Sequence, residues 1–68
     1  MLPIPLSNEI PLTFVSKIFE RTIRRAQAVG RPMLALNLSL TLDDLEDGRT
    51  NRLSAFTVHN AAVNILRY

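Results

Sequence analysis

Three patterns in the chain predict an α+β mini-domain: one amphipathic helix packed on an antiparallel β-hairpin, with the sheet completed by dimerisation. Apolar residues recur three and four apart between Leu12 and Ala28, then stop before Gly30 and Pro32. Leucine fills every even position from Leu34 to Leu42. Asp47-Gly48 follows as a hairpin turn signal. A mostly helical chain is the alternative.

Residues 1–11 carry Pro3, Pro5 and Pro11, which break a helix and remove backbone donors, so an extended Pro-rich arm is expected there. Its apolar residues Leu2, Ile4, Leu6 and Ile10 imply packing on the domain or on a partner subunit. Pro11 marks the start of the helix. Val15, Ile18, Phe19, Thr22, Ile23 and Ala26 form its inner stripe, while Lys17, Arg21, Arg24 and Ala28 share the opposite face. Gly30 suits a left-handed cap and Pro32 cannot continue the helix.

Leu34 to Leu42 alternates leucine with Ala, Asn, Ser and Thr, the period-two signature of a half-buried strand. Asp43 to Gly48 reads as an acidic turn. Arg52 to His59 then reads as a return strand, favoured by Phe56-Thr57-Val58. A helix starting near Thr50 competes, since Leu53, Phe56, Asn60 and Val63 also fit helical spacing. Ala61 to Leu66 is a short helix or a frayed extension. Residues 12–68 thus make one mini-domain behind the arm.

Composition narrows the function classes. At 68 residues a single core is only marginally stable, and with no cysteine neither a disulfide nor a thiolate zinc site can reinforce it. Self-association is the common remedy, so a homo-oligomer is expected. The segment Met1 to Leu6 lacks a basic n-region, and charged residues interrupt every apolar window, so neither a secretory signal nor a membrane span is expected. The cytoplasm is the default location.

The net charge of +2 is unevenly spread. Lys17, Arg21, Arg24, Arg25 and Arg31 face only Glu20 within residues 12–32, a local balance of +4. Asp43, Asp44, Glu46 and Asp47 face only Arg49 within residues 33–51, a balance of −3. Seven of the eight basic residues are arginine, the side chain suited to bidentate recognition of phosphate or carboxylate. The acidic segment of one subunit can also face the basic helix of another.

Catalytic and cofactor chemistry finds little footing. His59 is the only histidine, so no histidine pair can hold a metal, and Ser39 or Ser54 would have to share it in any triad. A lone histidine beside Asn60 reads instead as a surface or interface residue. A calcium loop starting at Asp43 would need oxygen ligands where Leu45 stands and a bidentate glutamate where Ser54 stands. No catalytic residue, metal or cofactor is expected. Gly30-Arg31-Pro32 resembles the core of an AT-hook, a family whose flanks are basic; here Val29 and Met33 flank it.

The sequence therefore predicts a small non-enzymatic binding and regulatory module. Lys17, Arg21, Arg24, Arg25 and Arg31 would engage an acidic macromolecule, either nucleic acid or an acidic protein surface. Leu34, Leu36, Leu38, Leu40 and Leu42 would form a strand edge for association. The alternative is a protein-only adaptor or inhibitor, of the kind found among small phage and plasmid products, that binds a partner through that edge and the N-terminal arm.

Overall fold

A computed structural model describes residues 11–67, and 82% of these are helical, with no strand among them. The helices are α1 (Leu12–Ala28), α2 (Pro32–Glu46) and α3 (Arg52–Leu66). They pack pairwise as a bundle: α1 and α2 run antiparallel through a short turn, and α3 lies across both. The α+β expectation is overturned, and the postulated arm up to Ile10 lies outside the described residues.

α1 forms where the spacing predicted it. The Pro11 carbonyl accepts the first backbone bonds, from the Phe14 and Val15 amides at 3.0 and 3.2 Å. Val15, Phe19 and Ala26 are buried along its inner side. At its end Gly30 takes φ +78°, the Gly30 amide donates to the Gln27 carbonyl, and the Arg31 amide donates to the Ala26 carbonyl at 2.8 Å. These are the two bonds of a Schellman cap, which needs a residue comfortable at positive φ.

The expected strand Leu34–Leu42 is the body of α2. A period of two contains a period of four, so every second leucine of the alternating run falls on one helix face. Leu38 and Leu42 are buried with Ala35 and Leu45, and Leu34 is half-buried beside them. Leu36 and Leu40 point the other way and are exposed. Leucine is also a strong helix former and a middling strand former, and Pro32 starts the helix at its first turn.

The hairpin signal fails for a related reason. Asp47 is the C-cap of α2, and Gly48 at φ +76° closes it with a second Schellman cap, the Arg49 amide donating to the Asp44 carbonyl at 2.7 Å. Glycine after aspartate serves a helix stop as readily as a hairpin turn. The expected return strand and C-terminal extension are one helix, α3, capped by the Asn51 side chain accepting from the Ser54 amide at 2.8 Å. Its buried face is Ala55, His59 and Ala62, with Phe56 half-buried.

The core joins Val15 and Phe19 of α1, Leu38, Leu42 and Leu45 of α2, and Ala55 and Ala62 of α3. The two alanines let α3 approach closely. Phe19 meets Phe56 edge-on, ring centres 6.0 Å apart, and lies 5.1 Å from the His59 ring. Antiparallel pairing of α1 and α2 is tied at one end by the Ser16 hydroxyl, which donates to Glu46 Oε2 at 2.9 Å.

Candidate binding surface

The polar side of α1 follows from its pattern: with Val15, Phe19 and Ala26 turned inward, residues half a turn away face solvent. Lys17, Arg21 and Arg24 form one exposed row, four and three residues apart, around a shallow depression that Glu20 also lines. The other two predicted residues are exposed but lie elsewhere. Arg25 lines a groove between α1 and α3 with Thr22, Val63, Leu66 and Arg67. Arg31 is the N-cap of α2, beside Pro32, Met33 and Ile65. The five cations are thus one row of three plus two flanking positions.

Among the described residues, the ion pairs belong to Arg49, which reaches Asp44 and Asp47 at 3.7 and 3.8 Å. None of the five predicted cations is held by a carboxylate there. Chain direction sorts the charges into two poles. The end of α1, the start of α2 and the end of α3 gather Arg24, Arg25, Arg31 and Arg67. The opposite end carries Asp43, Asp44, Glu46 and Asp47 against Arg49 and Arg52, a net negative charge.

Two contributors escaped the sequence reading. Phe14 is 54% exposed and stands one turn before Lys17, in the series 14, 17, 21 that shares one helix face. That spacing is legible in the sequence once the inner stripe is fixed, and it places an aromatic ring beside the basic row. Arg67 joins Arg25 only because α3 is a helix that ends next to the end of α1, which no strand reading brings about.

His59 is not a surface residue. It is 8% exposed, wedged between Phe19 and Phe56, with Nε2 2.8 Å from the Thr22 hydroxyl oxygen. The Thr22 hydroxyl also lies 3.2 Å from the Ile18 carbonyl, to which it can donate, so it is placed to bond either side of the contact with the ring. Nδ1 is buried with no hydrogen-bond partner. Burial lowers the His59 pKa below 6.5, and the neighbouring Asn60 side chain opposes this only in part. Neither Ser39 nor Ser54 is its hydrogen-bond partner. Among the described residues no group of three or more His, Cys, Asp or Glu could hold a metal, and no helix is long and apolar enough to cross a membrane.

The predicted association edge does not exist as a strand edge. Leu38 and Leu42 are core, Leu34 is half-buried, and only Leu36 and Leu40 are exposed, at 48% and 53%. With Met33, 67% exposed, they form an apolar stripe on the outer side of α2 at spacings of three and four. Gly30-Arg31-Pro32 is accounted for as a helix cap, an N-cap and a first-turn proline.

No family model, no curated protein and no solved structure matches the chain.

Proposed function

We propose that the protein is a small non-enzymatic binding and regulatory module that engages an acidic macromolecule through the outer face of α1. The row Lys17, Arg21 and Arg24 carries this reading: three exposed cations on a helix anchored by its opposite face, none of them ion-paired to a carboxylate among the described residues. Arg25 and Arg31 extend the positive field toward one end of the bundle. Phe14 beside the row adds a ring on which an unstacked base can lie, which favours nucleic acid over an acidic protein.

The ultraviolet spectrum of protein purified in low salt tests this directly, because with no Trp and one Tyr the chain itself absorbs weakly. Co-purifying nucleic acid that a high-salt wash removes is the expected result. Three to five phosphate contacts on a single strand weaken binding by roughly 20- to 130-fold between 50 and 200 mM salt. Replacing Arg21 and Arg24 together by glutamate abolishes that binding while leaving helicity intact. Unchanged binding in this variant, or a tyrosine spectrum alone at low salt, removes the reading.

The second reading, a protein-only adaptor or inhibitor, draws on the exposed stripe Met33, Leu36 and Leu40. There the arginines are bystanders, and the double Arg variant keeps its partner.

A further inference from the structure

We propose that the outer face of α2 is a self-recognition surface, on which a second copy of the chain packs antiparallel about a two-fold axis. Four observations point to the same occupant. The stripe Met33, Leu36 and Leu40 is apolar, contiguous and turned away from the bundle core, and Ile65, 42% exposed, adjoins Met33 across a shallow groove. Apolar residues on both sides of one helix are expected where both sides are covered.

The charges flanking this stripe are complementary to themselves when reversed. Arg31 stands at its start, and Asp43, Asp44 and Asp47 stand at its end, where Arg49 beside Asp44 and Asp47 leaves a net negative charge. With the two-fold axis midway between Leu36 and Leu40, Arg31 of one copy comes level with the Asp44–Asp47 segment of the other, within about 3 Å along the axis. Met33 of each copy meets the Asp43 end of its neighbour, and the four leucines Leu36 and Leu40 meet at the centre.

Two further features favour this arrangement over a parallel one. Antiparallel α2 helices oppose their macrodipoles favourably. The bipolar bundle, with Arg24, Arg25 and Arg31 at one end and four carboxylates against Arg49 and Arg52 at the other, repels itself in a parallel pair and attracts itself in an antiparallel one. A two-fold contact also supplies the extra buried apolar area that a core of this size lacks. Lys17, Arg21 and Arg24 lie on another helix, so the row proposed for acidic partners stays open while Arg31 joins the contact between copies.

Sedimentation equilibrium of the full chain reads the result. The expected outcome is a dimer whose dissociation constant rises by roughly 100-fold or more in Leu40→Glu, because each substitution acts twice in a two-fold interface. Helicity stays unchanged, since Leu40 contributes nothing to the bundle core. Should that variant fail to fold, two exposed charge variants keep the question decidable. Arg31→Glu and Asp47→Lys each weaken self-association by like-charge contact, and mixing them restores a dimer containing one copy of each. A full-length chain that is monomeric throughout overturns the proposal, whether residues 1–10 or another protein covers the stripe. A dimer indifferent to Leu40→Glu, or two charge variants that do not rescue each other on mixing, overturns it equally.

Discussion

α1 and α2 are neighbours of similar length joined by a short turn, yet their outer faces are opposites. α1 turns Val15, Phe19 and Ala26 inward and presents Lys17, Arg21 and Arg24 to solvent. α2 turns Leu38, Leu42 and Leu45 inward and presents Met33, Leu36 and Leu40. A charged outer face is stable against water as it stands. An apolar one is stable only when covered. The same fold therefore exposes a row of cations on one helix and an apolar stripe on the next.

The division of α2 into two sides is also the largest effect to test. Leu38→Ala removes a fully buried side chain and is expected to destabilise the bundle by about 2–5 kcal/mol, enough to unfold much of so small a protein. Leu36→Ala, two residues away in the same alternating run, is expected to change the folding stability of the dilute chain by no more than about 0.5 kcal/mol. Chemical denaturation of both variants at the same protein concentration makes the comparison. Equal losses would mean that the leucine run is buried on both sides of the monomer and would remove the contrast with α1.

The two helix ends offer a second, smaller comparison. Gly30 and Gly48 both sit at positive φ, +78° and +76°, and a Cβ at either meets nothing within 4 Å. The cost of Gly→Ala is thus backbone strain alone, about 1–2 kcal/mol, and it is expected to be the same at both. Thermal melts of Gly30→Ala and Gly48→Ala that differ by more than the error would show that one turn serves more than capping. Equal shifts would establish that the two stops are the same device.

That equality bears on how far the sequence could be read. The Gly30 stop was legible because a clean stripe precedes it and Pro32 follows it. The Gly48 stop uses the same chemistry, but behind a run of alternating leucines it reads as a hairpin. The alternation itself is ambiguous: positions 34, 38 and 42 share a face in a helix, and positions 34, 36, 38, 40 and 42 share a face in a strand. Only packing decides, and Leu36 and Leu40 lose their burial when it does. Lys17, Arg21 and Arg24 share a face because all three rest on α1, whereas Arg25 and Arg31 lie apart from them. The pairing of Arg25 with Arg67 and the burial of His59 depend on where α3 docks, a long-range fact that no local spacing encodes.

α1 and α2 differ finally in what they turn inward: α2 offers aliphatic side chains, whereas α1 adds the Thr22 hydroxyl, which takes up one nitrogen of His59. The other nitrogen is buried with no partner, and the charged ring would carry a proton on both. The unfolded chain takes up that proton near pH 6.5, while burial holds the folded chain's pKa lower. Between these two values the unfolded state binds more protons than the folded one, so stability falls as the pH drops through that window and levels off below it. No carboxylate pairs with the ring among the described residues to offset the effect. Melting temperatures measured from pH 8 to pH 5 are expected to decline below about pH 6.5 in the native chain. In His59→Phe, which keeps an aromatic ring against Phe19 and Phe56, that decline is expected to shrink. A native chain as stable at pH 5 as at pH 8 would mean that Nδ1 finds an acceptor when protonated. The α1–α3 contact would then tolerate charge, and the contrast with the wholly aliphatic inner side of α2 would narrow to hydrogen bonding alone.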